Sequence, residues 1–237
     1  MSGAALQKRP PFTWQGFLRG VRGSSVLMPT VVFYGLAFGV LASAKGLSAL
    51  EAAMLSGLVN AGGAQMASLQ AWTEPLPILA VVLTTAAMNA RYLLLGAALR
   101  PWWGGLPAYK SYGSLFVLGD GNWALALREQ AAGRDDAAFL TGVGFCSWFA
   151  WVGGTVAGHT FGSLLGDPQR LGLDFMLGAF FAALAVGFFK SRTAVLPLIV
   201  GIAVAVPVER WVPGPWYILA GALAGAIAGG LVHGPKA

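Results

Sequence analysis

Residues 76–99 read LPILAVVLTTAAMNARYLLLGAAL, an apolar run of 24 residues in which the only charged side chain is that of Arg91. A helix needs about 20 apolar residues to cross the hydrocarbon core of a bilayer, so the run is long enough to span it. Pro75 precedes the run, and proline suits the start of a helix. The sequence therefore predicts a membrane helix with Asn89 and Arg91 inside it.

The charge of Arg91 is unusual at membrane depth. Arg91 lies eight residues before Leu99, which corresponds to about 12 Å along a helix. A guanidinium at the bilayer centre costs on the order of 3 kcal/mol or more, and such a residue is usually paired or functional. The alternative is that the Arg91 side chain lies along the lipid with its charged end at the nearer interface. We favour the functional interpretation.

The composition is that of a membrane protein. The chain has 237 residues, of which 57% are hydrophobic and 10% charged, and a soluble domain of this size carries far more charge. The net charge of +6 comes from 15 Lys and Arg residues spread through short loops. This distribution is typical of cytoplasmic loops rather than of a nucleic-acid interface. We therefore expect the chain to contact a lipid bilayer and no nucleic acid.

The distribution of charge also suggests how the chain is divided. Residues 1–22 form a basic lead, which we predict to be cytoplasmic and uncleaved because several apolar runs follow it. Residues 23–233 form a single transmembrane helical domain in this prediction. The basic tail at 234–237 is predicted to be cytoplasmic as well. Both termini therefore lie on the same side of the membrane.

Glycines at every fourth position predict close packing of helices. Small residues at this spacing let two helix backbones approach each other. The positions are Gly35 and Gly39, then Gly154, Gly158 and Gly162, and finally Gly221, Gly225 and Gly229.

The uncharged run 52–73 contains NAGGAQ at its centre, from Asn60 to Gln65. Gly62 and Gly63 each cost about 1 kcal/mol relative to alanine inside a helix, so the run invites an interruption at membrane depth. Interrupted helices in transporters use the freed backbone groups to bind substrate. The alternative is a glycine-lined packing face in which Asn60 and Gln65 form hydrogen bonds with neighbouring helices. The sequence leaves both open.

Residues 111–127 are too short for a straight span and contain Asp120, so they form a tilted, broken or re-entrant element. If this segment and 52–73 both cross the membrane, the chain has eight spans. If both are re-entrant, it has six, and Arg100 and Lys110 become cytoplasmic. We predict an all-α polytopic protein with about 7–8 membrane helices or half-helices, some of them interrupted.

The sequence lacks the motifs of hydrolytic, redox and nucleotide chemistry. It contains no Gly-x-x-x-x-Gly-Lys-Ser/Thr loop, no Gly-x-Ser-x-Gly elbow, no His-Glu-x-x-His and no Cys-x-x-Cys. Cys146 is the single cysteine, and His159 and His233 lack the spacing of zinc ligands. We expect no enzyme activity, catalytic residue, metal, cofactor or nucleotide site on this chain, and we expect His159 to be a packed, hydrogen-bonded side chain.

The unusual polar residues fit the transport of an amino acid. A zwitterion needs a cation or a helix N-terminus for its carboxylate and an acceptor for its ammonium group. Arg91 and the interrupted backbone at 61–65 would bind the carboxylate. Asp120 would accept the ammonium, carry a coupling proton or pair with Arg91. The candidate substrate or coupling residues are Arg91, Asn89, Asp120, Gln65, Asn60, Gly62 and Gly63.

Two other functions remain open. The chain is a structural or regulatory membrane subunit if its glycine faces mainly dock a partner that moves the solute. It is an intramembrane aspartyl protease if Asp120 shares a proton with a second carboxylate, for which Asp174 is the candidate. Asp174 lies in a polar turn beside Asp167 and Arg170, which favours a solvated position, so we place the protease last.

Six short motifs in order resemble the AzlC-type branched-chain amino-acid permeases, also described as azaleucine-resistance proteins or large subunits of valine exporters. They are FYGLAFG at 33–39, GLSALEA at 46–52, AGGAQ at 61–65, NARYLL at 89–94, LGD at 118–120 and GLDF at 172–175. The chain departs from the pattern at Tyr92, where the family commonly has His, and at Gly121, where it often has Glu.

The resemblance implies a subunit of the bacterial inner membrane that exports branched-chain amino acids such as L-valine. It also implies a small membrane partner of the AzlD type. Both are expectations from the family and not from the residues themselves.

Overall fold

The structure, a computed structural model, describes residues 10–70, 72, 75–165, 182, 192–212 and 216–232. All regular secondary structure within these ranges is helical, which confirms the all-α class. The motif at 172–175, with Asp174, and His233 lie outside the described residues. In chain order the helices are α1 (Trp14–Gly23), α2 (Met28–Ala44), α3 (Ala49–Val59), α4 (Gly62–Gln70), α5 (Ile78–Asn89), α6 (Arg91–Trp103), α7 (Ala108–Phe116), α8 (Asp120–Ala131), α9 (Ala138–Leu165), α10 (Arg192–Trp211) and α11 (Trp216–Val232).

The chain divides into two compact units. Unit 1 consists of Met1–Gln65 and Ala90–Pro168, and unit 2 of Met66–Asn89 and Gln169–Ala237. The predicted limits at 1–22, 23–233 and 234–237 concern placement in the membrane, and they stay predictions.

Some of the described helices are long and apolar enough to cross a membrane. Ile78–Trp103 and Ala138–Gly162 meet both conditions. A third span is present if Trp14–Val26 and Met28–Ala44, which are bent by 68° relative to each other, count as one. Pro29 stands in the first turn of α2, where its missing N–H costs no helical hydrogen bond.

In unit 1, the start of α1 is fixed to the start of α9 by Asp136, a buried carboxylate. The Thr13 amide donates to Asp136 Oδ1 at 3.2 Å, and the Thr13 hydroxyl donates to Asp136 Oδ2. The Ala138 amide also donates to Oδ1, at 3.1 Å. The same carboxylate therefore satisfies donors at the N-termini of both helices, whose first N–H groups have no partner within their own helix.

The glycine face predicted on α9 is confirmed in its contact with α2. A Cβ built on Gly39 would lie 2.6 Å from the backbone nitrogen of His159, and one on Gly158 would lie 2.7 Å from Leu36 Cα. A Cβ on Gly162 would meet Val40 Cα at 3.0 Å. Real Cβ atoms do not approach backbone as closely as those on Gly39 and Gly158 would, so the two helices need glycine there, and the contact at Gly162 would be tight.

Unit 2 contains a second glycine contact, between α10 and α11. A Cβ on Gly221 would lie 2.9 Å from the carbonyl oxygen of Gly201. A Cβ on Gly225 would lie 3.0 Å from the carbonyl oxygen of Pro197, and one on Gly229 would meet Pro197 Cγ at 3.4 Å. The face predicted from the spacing of these glycines is thus confirmed too.

Candidate functional site

The run 52–73 is interrupted, which is one of the two interpretations that the sequence leaves open, and the interruption lies before the two glycines. Helix α3 ends at Val59, and Asn60 adopts the left-handed conformation with φ 44° and ψ 37°. Asparagine is one of the few residues that tolerate this region. Gly62 begins α4, and a Cβ there would lie 2.5 Å from Trp151 Cη2, so this glycine serves close packing instead of the turn. Gly63 is buried in the same first turn.

Gln65 lies in a buried polar network that joins the break to α9. Its Nε2 donates to Ser56 Oγ at 3.3 Å, and its Oε1 accepts from Trp151 Nε1 at 3.0 Å. Ser56 Oγ lies 2.7 Å from Thr155 Oγ1, which donates to the Trp151 carbonyl oxygen at 2.9 Å. Gln65 is 1% exposed. Both ends of its amide are therefore engaged within the protein.

A second break, in the segment predicted to be tilted, broken or re-entrant, separates α7 from α8 at 117–119. Asn122 stabilises it: the Gly119 amide donates to Asn122 Oδ1 at 2.7 Å, and Asn122 Nδ2 donates to the Val117 carbonyl oxygen. Asn122 was not among the predicted site residues. The pattern that could have identified it is an amide side chain at the third position of a helix that begins after glycine, because a side chain at this spacing can bond back to the cap residue.

The two breaks are in direct contact. Asn60 Nδ2 donates to the carbonyl oxygen of Phe116 at 3.3 Å. Phe116 is the last residue of α7, where carbonyl groups have no helical partner. The side chain at one interruption thus satisfies a backbone group at the other.

Arg91 and Asp120 form an ion pair in unit 1. Arg91 Nη2 lies 3.1 Å from Asp120 Oδ2, and the two side chains are 31% and 50% exposed. Each is the first residue of its helix, α6 and α8 respectively. Trp123 Nε1 donates to the Leu95 carbonyl oxygen at 3.2 Å, which holds the same two helices together one turn later. Pairing with Arg91 is one of the three roles that the sequence suggested for Asp120.

The ion pair with Asp120 leaves one nitrogen of the Arg91 guanidinium without a partner within the described ranges. Its Nε is buried and has no hydrogen-bond partner in the described part of the chain. The guanidinium carbon also lies 5.2 Å from the centroid of the Tyr92 ring, within the range of a cation–π contact. Asn89 ends α5 in unit 2, and its Oδ1 is likewise buried without a partner among the described residues.

Arg91 lies at the middle of a candidate span. It follows Ile78 by 13 residues and precedes Trp103 by 12 in the helix Ile78–Trp103. At 1.5 Å per residue, it is about 18–20 Å from each end. Only 6% of the apolar window of this helix is buried within the chain.

The remaining polar side chains and the cavity lie apart from the ion pair. His159 Nε2 lies 2.7 Å from the Leu47 carbonyl oxygen, which confirms a packed, hydrogen-bonded histidine. Among the described residues, no three His, Cys, Asp or Glu side chains cluster as metal ligands. A cavity of about 460 Å³ opens near Pro11, Trp102, Gln130 and Asp135, and neither Arg91 nor Asp120 lines it.

A family model described as AzlC protein matches residues 26–165, more than half of the chain. The chain belongs to the AzlC family. This agrees with the resemblance of its motifs, and the matched segment contains both breaks and the Arg91–Asp120 pair.

Three relatives cover most of the chain. The inner membrane protein YgaZ of Escherichia coli K12 is 30% identical over 89% of this chain and 88% of its own length. An uncharacterized membrane protein of Archaeoglobus fulgidus is 28% identical over 90% of this chain and 94% of its own. The branched-chain amino acid transport protein AzlC of Bacillus subtilis is 22% identical over 81% and 76%. No solved structure is significantly similar to this chain. Together with the apolar helices, these relatives identify an α-helical membrane protein.

Proposed function

We propose that this chain is a transport subunit of the bacterial inner membrane that exports branched-chain amino acids such as L-valine. The observation that carries the proposal is the Arg91–Asp120 ion pair at the middle of a candidate span. Paired charges at membrane depth are costly and usually mark the path of a solute or an ion. The name of the Bacillus subtilis relative supports branched-chain amino acids as the substrate class.

A zwitterion matches the two charges once the ion pair opens. Its carboxylate would bind the Arg91 guanidinium and its ammonium group the Asp120 carboxylate. Both protein charges would then keep a partner when the ion pair opens, whereas a solute with one charge would leave the other side chain unpaired at membrane depth. Without substrate, Arg91 and Asp120 close on each other.

The remaining candidate residues support this site in different ways. Asn89 remains a candidate substrate residue, because its buried Oδ1 has no partner among the described residues. Asn60 and Gln65 would stabilise the two breaks. Asn60 does so through its hydrogen bond to Phe116, and Gln65 through its hydrogen bond to Trp151 of α9. We assign Gly62 and Gly63 to the close packing of the first turn of α4.

A small AzlD-type partner would cover part of the span Ile78–Trp103. Arg91 and Asp120 are 31% and 50% exposed on this chain, and only 6% of the apolar window of the span is buried. Lipid is a poor neighbour for such charges. A partner helix laid on this face would remove them from lipid and complete the site.

Binding measurements on the chain, purified with its small partner, test the zwitterion site. We expect L-valine to raise the unfolding temperature, and isobutyrate and isobutylamine, which carry only one of its two charges, to have little effect. Arg91→Ala and Asp120→Asn should abolish the response. Arg134→Ala, which removes the exposed pair of Arg134 with Glu129, is the matched control and should respond like the wild type. Equal stabilisation by isobutyrate would contradict a site that binds both charges.

If the chain is instead a structural or regulatory subunit without a substrate site of its own, we expect a different result. In that case valine would stabilise the complex equally in the wild type, Arg91→Ala and Asp120→Asn, because the binding residues would belong to the partner.

A further inference from the structure

One end of unit 1 is defined by the contact of Thr13 with Asp136, and we call it the α1 end. The Ala137 amide donates to the Pro11 carbonyl oxygen at 2.9 Å, so the chain before α1 lies beside the chain before α9. From here α1 and α2 both pack along α9 in the same direction. A Cβ on Gly16 would contact Asp136, whereas a Cβ on Gly162 would contact Val40.

Helix α7 begins at the α1 end, and helix α8 ends there. At the start of α7, Lys110 Nζ lies 4.8 Å from the centroid of the Phe12 ring. After α8, the Asp135 carbonyl oxygen accepts a hydrogen bond from Trp102 Nε1 at 2.8 Å, next to the last residue of α6. Gln130, in the last turn of α8, lines one cavity with Pro11. The segment thus enters unit 1, breaks at 117–119 and returns to the end from which it came.

Helix α3 starts at the opposite end, which we call the far end. There the Leu47 carbonyl oxygen lies 2.7 Å from His159 Nε2, near the C-terminus of α9. The Gly57 carbonyl oxygen accepts from Trp148 Nε1 at 2.9 Å. Later residues of α3 therefore contact earlier residues of α9. Helix α3 thus runs antiparallel to α9 and points towards the middle of unit 1.

The chain reverses direction after α3. Gln65 Nε2 reaches Ser56 Oγ at 3.3 Å, although nine residues of continuous helix would separate the two by about 14 Å along the axis. Trp151 contacts both Gly62 and Gln65, so the first turn of α4 stays beside α3. The left-handed conformation of Asn60 makes this reversal possible.

We propose that α3–α4 and α7–α8 are two re-entrant hairpins, which enter from opposite faces of the membrane and meet at their tips through the bond from Asn60 to Phe116. Irregular backbone is stable at membrane depth only where it is buried in protein or lines a wet cavity. Two tips that meet from opposite faces form a single barrier between the two aqueous sides. Asn60 is the positioning residue that holds this barrier together.

Charge indicates which face each hairpin enters from. Arg100, Lys110, Arg128 and Arg134 lie at or near the α1 end, whereas Lys45 lies at the far end. Basic residues are enriched in short cytoplasmic loops. The α7–α8 hairpin therefore enters from the cytoplasm and the α3–α4 hairpin from the other side.

Cysteine labelling in intact cells tests the hairpins in a Cys146→Ala background. Gln15→Cys marks the cytoplasmic face. Ala108→Cys and Ala132→Cys, at the two ends of the α7–α8 hairpin, should both be protected from a membrane-impermeant thiol reagent until the cells are opened. Ala49→Cys and Gln70→Cys, at the two ends of the α3–α4 hairpin, should both be labelled in intact cells. Labelling the two ends of either segment from opposite faces would overturn the proposal.

The contact of the tips is tested with Gly119→Cys. A Cβ at this position would meet Asn122 Oδ1 at 3.8 Å, an ordinary contact, so the cysteine fits. Asn60→Gly keeps the left-handed conformation and removes the amide. We expect it to raise the rate at which impermeant reagent added outside reacts with Gly119→Cys severalfold. An unchanged rate would show that Asn60 does not hold the barrier. Neither experiment depends on which solute moves, so a wrong substrate would not affect these results.

Discussion

The guanidinium of Arg91 lies 3.1 Å from the carboxylate of Asp120, and each of the two residues begins a helix, after Ala90 in one case and after the break at 117–119 in the other. The positive end of the α8 dipole favours Asp120, which follows the extended backbone of Gly119, whereas Arg91 continues the helix Ile78–Trp103. The pair thus joins α6 to the start of α8, and Trp123 ties the same two helices together through Leu95.

Exchange of the two charges tests whether Arg91 and Asp120 act as a pair. We expect Arg91→Asp and Asp120→Arg each to reduce the amount of folded protein, because each leaves two like charges together at membrane depth. The double exchange should recover part of that loss. Thermal unfolding of the four proteins in detergent should give a coupling energy of about 0.5–3 kcal/mol. Additive effects would mean that the pair does not form in the membrane.

A glycine comparison on α9 tests the packing against α2. A Cβ on Gly158 would lie 2.7 Å from Leu36 Cα, whereas a Cβ on Gly153 would meet nothing within 4 Å. We expect Gly158→Ala to lower the free energy of unfolding by about 1–3 kcal/mol, the usual cost of overpacking. Gly153→Ala should be neutral or stabilise the helix by up to about 1 kcal/mol. Equal effects in thermal unfolding would contradict the interface.

Substitution of Asn60 separates its backbone conformation from its amide. Asn60→Ala should destabilise the protein by about 1–2 kcal/mol more than Asn60→Gly, because alanine has a Cβ that clashes in the left-handed region. Denaturation of the two variants side by side provides the measurement. If alanine is tolerated as well as glycine, then the helix does not break at this residue.

Removal of the Gln65 amide tests the buried network. Gln65→Leu leaves Trp151 Nε1 and Ser56 without their bonds to the amide, and an unsatisfied buried polar group costs about 1–3 kcal/mol. We expect a loss of this size in the free energy of unfolding. Gln70→Leu, at an exposed position on the same helix, is the control and should change little. A neutral Gln65→Leu would show that the network does not stabilise the break.

Local sequence patterns were sufficient to predict several features. The spacing of Gly154, Gly158 and Gly162 identified the face of α9 that approaches α2. Closely packed helices need small residues at every fourth position of the contact face, and this spacing is visible in the sequence. The polar centre of 52–73 indicated an interruption. The isolated charges of Arg91 and Asp120 suggested each other as partners, since a single charge is rarely left alone at membrane depth.

Other features depend on contacts between distant parts of the chain. Gln65 stays a predicted substrate residue, and its alternative role as a hydrogen-bond partner between helices is confirmed by the bond to Trp151, 86 residues away. The two adjacent glycines suggested an interruption at Gly62 and Gly63, although Asn60 makes the turn and Gly62 packs against the Trp151 ring. The return of α8 towards the start of α7 is one of the alternatives that the sequence leaves open, because no local pattern distinguishes a re-entrant hairpin from a tilted or broken span.

The most direct test of the central claim is efflux of labelled valine and leucine from cells that express the chain with its small partner. We expect the wild type and Arg134→Ala to export both amino acids, and Arg91→Ala and Asp120→Asn to lose at least nine-tenths of the rate at equal membrane abundance, a loss of about 1.4 kcal/mol or more. Normal export by Arg91→Ala would contradict the assignment of the ion pair to the substrate site. Failure of the wild type to move either amino acid would contradict branched-chain export itself.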